Sequence, residues 1–167
     1  FAFLSVFTTF VVGLLLALAM DKPFRGRAAY RSILILPYAI PSFMSILVWR
    51  GMFNKDFGII NSLLTQWGLI SEPVAWFDST LTARIVVLLV NLWLGFPYMF
   101  LITTGALQAI PGELTESATI DGATSWQQLR LIKLPLLLVS LAPLLISSFA
   151  FNFNNFNQIY LLTEGGP

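Results

Sequence analysis

The sequence predicts an all-α integral membrane protein, a polytopic helical bundle with about four membrane-crossing segments. Three observations carry that expectation. Apolar residues make up 57% of the chain and charged ones only 10%, where a soluble domain carries about 25% charged residues, so this composition suits lipid as solvent. Four stretches, 1–20, 32–49, 81–107 and 136–162, are apolar over the roughly 20 helical residues that cross about 30 Å of hydrocarbon. Pro37, Pro41, Pro97 and Pro143 fall inside them, and such prolines persist where neighbouring helices or water satisfy the freed carbonyls. They predict kinked helices in a bundle rather than straight anchors.

The first stretch has no basic leader and is followed by basic residues, so it reads as a span and not as a signal peptide. It begins at once with Phe1, and the chain closes on Glu164, Gly165, Gly166 and Pro167 as if entering a loop. Both ends therefore read as those of a fragment, with further helices expected on either side. The connection after the first span holds Lys22, Arg25, Arg27 and Arg31, and the one after the third holds Arg130 and Lys133. The connection between the second and third holds Arg50 and Lys55, with Arg84 at its edge. Six cations against three place the first and third connections in the cytoplasm. The basic cluster of the first connection is a topology signal that also suits lipid phosphates. The outer connection, 51–80, reads as a short interfacial helix followed by a turn at Glu72 and Pro73, with Trp67 and Trp76 suited to headgroup level.

Several function classes fall away. With no Cys and no His, thiol catalysis, disulfides, zinc sites built on these residues and His general-base chemistry are excluded. No basic run is dense enough to predict nucleic acid as a partner. There is no Gly-x-x-x-x-Gly-Lys-Ser/Thr phosphate loop, so the chain is not itself an ATPase and no cofactor is expected in it.

The polar segment between the third and fourth spans, 108–135, predicts two short helices with a bend. Pro111 suits a helix start, and residues 112–120 form about two turns. Asp121 and Gly122 end that helix, since Gly accepts the left-handed conformation of a helix C-terminus. Ser125 with Gln128 has capping-box spacing and restarts a helix to about Leu134, with Pro135 opening the next span. Glu113 and Glu116 offer carboxylates to a basic partner, Ala118 and Gly122 permit close approach, and Leu129 and Ile132 give the second helix an apolar side. A docking element and an amphipathic helix lying on the membrane both fit these residues.

Within the spans, Ser148, Asn152 and Asn155 share one face of the fourth, and Asn91, Gly95 and Tyr98 repeat that spacing in the third, with Leu94 beside them. An unpaired amide in hydrocarbon costs several kcal/mol, so such residues face a partner or a wet cavity. The amides match sugar hydroxyls, Tyr98 and Phe151 suit the apolar face of a pyranose, and Gly95 offers a flat patch. No charged residue lies in this band, so a charged substrate finds no counter-ion. Interhelical hydrogen bonding, with Asn as packing glue, fits the same pattern.

Glu116, Ser117, Ala118, Gly122, Ile132, Leu134 and Pro135 together resemble the EAA loop of permease subunits of binding-protein-dependent ABC importers, with Ser117 where the usual pattern has Ala. The segments Ile35-Leu36-Pro37-Tyr38-Ala39-Ile40-Pro41-Ser42, Asn91-Leu92-Trp93-Leu94-Gly95-Phe96-Pro97-Tyr98 and Phe149-Ala150-Phe151-Asn152-Phe153-Asn154-Asn155-Phe156 are similar to the sugar branch, of maltose and maltodextrin type. The resemblance implies a type I importer (MetI-like) permease core, one domain over 1–167 with its coupling loop at 108–135, multi-pass in the bacterial cytoplasmic membrane. It assigns Glu113, Glu116, Ala118, Asp121 and Gly122 to coupling with an ATPase. It assigns Asn91, Leu94, Gly95, Tyr98, Ser148, Phe151, Asn152 and Asn155 to the sugar site. Asn154, Asn157 and Gln158 fall partly on another face and go to packing or to the outer interface. The implied partners are a second permease subunit, a dimer of ATP-binding subunits that uses ATP-Mg, an extracytoplasmic sugar-binding protein, an oligosaccharide and the lipid bilayer. A secondary transporter, an intramembrane enzyme and a structural membrane subunit are the alternatives. The first wants an intramembrane charge for coupling, and the second wants a His or Asp within a span; neither is present.

Overall fold

The computed structural model describes residues 1–21 and 23–167, and its regular elements are helices. Lys22, part of the basic cluster, lies outside the described residues. In chain order the helices are α1 (Ala2–Ala19), α2 (Arg27–Ala39), α3 (Ser42–Met52), α4 (Ile59–Gln66), α5 (Thr80–Gln108), α6 (Gly112–Ile120), α7 (Ser125–Gln128), α8 (Leu134–Phe153) and α9 (Phe156–Thr163). A π turn, Leu129–Lys133, joins α7 to α8. Three helical stretches, Ala2–Ala19, Thr80–Gln108 and Ser125–Phe153, are long and apolar enough to cross a membrane, and α2 with α3 makes a fourth if that bent pair is one span.

Two of the four expected spans are broken rather than kinked. The stretch 32–49 folds as α2 and α3, which meet at an angle of 89°. Pro41 has no N–H and pushes the residue before it out of helical geometry, so Ile40 is extended at φ −88° and ψ 131°. The stretch 136–162 stops at Phe153. The Asn154 side chain donates back to the Ala150 carbonyl (2.9 Å), and Asn155 caps the new helix by accepting from the Gln158 N–H (3.4 Å). Pro97 and Pro143, by contrast, lie inside continuous helices.

Helix α5 is the axis on which the rest packs. Against its second half lies α1, held close by Gly13, where a Cβ would stand 2.6 Å from the Met99 Cβ and 2.8 Å from the Phe100 nitrogen. Small residues serve this purpose in membranes, where backbones gain by close van der Waals approach. An inner core forms here from Ala17, Phe100, Leu107 and Leu137, with Leu34 and Ile35 of α2 against it. The first half of α5 supplies Val86, Val87 and Val90 to a second core, completed by Ile46 of α3, Phe53 just after it, and Leu162 of α9.

Each end of the bundle carries an ion pair. Lys133 Nζ lies 3.3 Å from Asp21 Oδ2, which brings the first and third connections together. Arg50 Nη2 lies 2.6 Å from Glu164 Oε1 at the opposite end, beside the connection that leads to α4. This is the alternation the cation count requires. Within that outer connection the expected short helix is α4, and Asn61 holds it down. Its Nδ2 donates to the carbonyls of Lys55 (3.2 Å) and Val74 (2.9 Å), while its Oδ1 accepts from the Val74 N–H (3.2 Å) and Trp76 Nε1 (2.9 Å). A fully satisfied buried amide of this kind fixes its surroundings.

Candidate functional site: an exposed knuckle and a polar helix break

The segment between α5 and α8 forms a bent pair of helices. Pro111 caps α6, and Gly122 at φ +80° turns the chain out of it. The Ala123 N–H reaches the Ala118 carbonyl (2.9 Å) and the Gly122 N–H reaches that of Thr119 (3.1 Å), the paired bonds of a Schellman closure. The capping box falls one residue earlier than the Ser125–Gln128 spacing predicts. Thr124 Oγ1 accepts from the Gln127 N–H (3.3 Å), and Gln127 Oε1 accepts from the Thr124 N–H (2.8 Å). The shift frees Gln128, whose Nε2 donates to Thr119 Oγ1 (3.0 Å) and to the Ala123 carbonyl (3.2 Å), fastening α7 to α6.

The second helix does not stop before Pro135 as expected. It runs into α8 through the π turn, where the Leu134 N–H reaches back to the Leu129 carbonyl. A proline ring crowds the carbonyl four residues before it, and a widened turn gives that carbonyl room.

No residue of α6 is buried. Glu113, Glu116, Asp121 and Gly122 are exposed and Ala118 is half-buried. Ile120, 86% exposed, and Trp126, 66% exposed, stand on the same knuckle. Neither was singled out from the sequence. The available signal was a large apolar residue among polar neighbours, Ile120 at the end of α6 and Trp126 in the first turn of α7, which burial alone distinguishes from a packed one.

The polar residues of the spans are arranged differently from the expected pair of facing stripes. Gly95 is not an open patch: a Cβ there would lie 2.9 Å from the Thr9 Cγ2 of α1. Leu94 packs against the core that holds Val86 and Leu162. Asn91 is only 6% exposed, and Tyr98 is half-buried. On α8, Ser148 and Asn152 do share a face, and Asn152 Nδ2 donates to the Ser148 carbonyl (2.8 Å). Asn152 Oδ1 has no donor among the described residues. Asn155 has left that face, because the helix ends at Phe153 and Asn155 begins the next one.

The break creates an open hollow of about 500 Å³ lined by Ala150, Phe151, Asn154, Asn155, Phe156 and Asn157. It thus takes in Phe151 and Asn155 of the expected sugar residues, together with Asn154 and Asn157. The residues of α5 are not in its lining. Every polar group in the hollow is a neutral amide beside an aromatic ring, a surface that exchanges hydrogen bonds with hydroxyls and stacks on C–H faces without a charge to balance. Gln158 is not in the lining; it is buried and bonded to the Val87 carbonyl of α5.

Known proteins share this architecture. The chain is 51% identical, over its whole length, to the maltose/maltodextrin transport system permease protein MalF of Escherichia coli strain K12, and equally to that of Vibrio cholerae. It spans 32% of the length of each of these relatives. The crystal structure of a bacterial ABC transporter that imports the acidic polysaccharide alginate superposes with a TM-score of 0.85 at 27% identity, over 97% of this chain and 57% of that one. The same fit is found in that transporter's complex with a periplasmic protein bound to an alginate pentasaccharide. Residues 9–167 match the family described as the binding-protein-dependent transport system inner membrane component, and the chain belongs to that family of membrane-embedded transport subunits.

Proposed function

We propose that this chain is the core of a permease subunit that passes a neutral oligosaccharide, of maltodextrin type, through the cytoplasmic membrane under the drive of a separate ATPase. The observation that carries the sugar reading is the hollow at the α8–α9 break, lined by amides and phenyl rings with no charged side chain. Support comes from the maltose permeases that match the whole chain. Ser148, Asn152 and Asn155 bind hydroxyls, Phe151 and Tyr98 stack on the ring, and Asn91, Leu94 and Gly95, packed within the bundle, back the path from α5.

The knuckle is the drive point. Glu113, Glu116, Asp121 and the Gly122 turn present carboxylates and a compact shape to the ATP-binding subunit, and Ala118 permits its close approach. Ile120 and Trp126 supply the apolar area that a stable contact needs, since a wholly polar helix loses as much to desolvation as it gains. ATP-Mg is bound by that partner, and an extracytoplasmic binding protein delivers the sugar at the opposite end.

In the reconstituted importer, the double variant Asn152→Leu with Asn155→Leu lowers ATP-driven uptake of maltodextrin by roughly a hundredfold, the ratio that two lost hydrogen bonds supply. The complex with the ATPase still assembles. Normal uptake by that variant means the sugar takes another path.

A further inference from the structure

The buried amide of Gln158 is bonded at both ends. Its Oε1 accepts from Asn155 Nδ2 at 2.8 Å, and its own backbone N–H donates to Asn155 Oδ1 at 3.4 Å. Both ends of the Asn155 amide are therefore held by one residue. Gln158 Nε2 in turn donates to the Val87 carbonyl of α5 at 3.0 Å, a bond buried from solvent, and the whole residue is 2% exposed.

From this geometry we infer that Gln158 is a positioning residue for the sugar path, orienting Asn155 and tying it to α5. The inference rests on the proposed role of Asn155 in sugar binding. An asparagine amide offers two N–H groups and two acceptor lone pairs. Gln158 engages one of each, which fixes the amide against a flip and leaves one donor and one acceptor for the hollow. The Val87 carbonyl also receives the Asn91 N–H four residues on in the α5 ladder. One carbonyl thus links the backbone of Asn91 on α5 to the side chain of Asn155 at the head of α9. Helix α9 is set off from α8 by the break at Asn154 and Asn155, so this buried bond, with Leu162 packed beside Val87, helps set where Asn155 stands relative to α5.

The test uses the complete importer in proteoliposomes and measures sugar taken up per ATP hydrolysed. Gln158→Met keeps length and shape and removes both polar ends, and Asn155→Ala removes the group that Gln158 positions. Both variants are expected to lower the ratio roughly tenfold, as one lost hydrogen bond of ordinary strength does, and the double variant is expected to fall no further. If Gln158→Met lowers uptake and ATP hydrolysis in proportion, or lowers neither, while Asn155→Ala lowers the ratio, the residue only packs and the inference is overturned. If Asn155→Ala leaves the ratio unchanged, the sugar role of Asn155 fails, and the positioning role of Gln158 fails with it.

Discussion

Arg50 and Glu164 lie 114 positions apart in the chain and meet at 2.6 Å, with a second Arg50 nitrogen donating to the Leu161 carbonyl at 3.2 Å. The guanidinium therefore closes the C-terminus of α9, where orphan carbonyls and the helix dipole both favour a cation. Each of the joined helices, α3 and α9, follows a break, at Pro41 and at Asn155. The two severed segments form one unit with the first half of α5. That unit carries the polar hollow, and the knuckle lies at the other end of the bundle beside the Lys133–Asp21 pair.

The two partners of Arg50 contribute unequally. Its pair with Glu164 is solvent-exposed and is worth little, about 0–1 kcal/mol. Glu164→Gln is expected to leave the thermal midpoint of the detergent-solubilised subunit almost unchanged, with any loss removed by high salt. Arg50→Met also gives up the carbonyl bond, so its midpoint falls further and stays lower in salt.

Gly13 is the tightest point of the α1–α5 crossing. Gly13→Ala overpacks it and is expected to cost about 1–3 kcal/mol, with Gly13→Val costing more. Gly105, also on α5, has nothing within 4 Å of an added Cβ, so Gly105→Ala is the matched control and leaves stability unchanged or slightly raised. Thermal unfolding of the three variants checks the order.

The turn at Gly122 isolates backbone from packing. Its φ is +80°, and an added Cβ meets nothing within 4 Å. Substitution costs only the left-handed strain, about 1–2 kcal/mol for a residue with a Cβ and less for Asn. Capture of the ATPase by the solubilised subunit is expected to fall in the order Gly122, Gly122→Asn, Gly122→Ala, Gly122→Val.

Asn61 holds four groups of the outer connection. Asn61→Leu strands their donors and acceptors in a partly buried setting and is expected to cost roughly 2–4 kcal/mol. Hydrogen exchange should rise at the Val74 amide and at the Trp76 indole N–H while the amides of the knuckle around Ala118 and Thr119 keep their rate.

Where local chemistry decides the structure, the sequence was legible. Helix α6 runs over the residues expected because Pro111 and Gly122 set its two ends without help from distant contacts. The capping box, expected at Ser125 and Gln128, falls at Thr124 and Gln127, because Thr124-Ser125-Trp126-Gln127-Gln128 contains Thr-x-x-Gln as well as Ser-x-x-Gln. The turn geometry of Gly122 and Ala123 settles it by leaving Thr124 extended at ψ 159°. Breaks were harder. Pro97 and Pro143 stay inside helices while Pro41 ends one, and apolar pattern cannot separate the two outcomes. Asn154 and Asn155 interrupt an apolar run that continues on both sides, through side-chain bonds to the backbone that spacing rules do not count. The expected shared face of Ser148, Asn152 and Asn155 assumed an unbroken helix, and Gly95 turned out to serve the contact with Thr9.

The proposed docking of a separate ATPase on the knuckle is open to a direct test. These 167 residues hold no cysteine, so in a full subunit cleared of any cysteine outside them Ser117→Cys places a single thiol on the exposed side of α6. In membranes holding the full subunit with its co-expressed ATPase, a thiol-to-amine cross-linker should join the two, and nucleotide should change the yield. An assembled complex in which Ser117→Cys gives no cross-link to the ATPase, with or without nucleotide, would contradict the central claim.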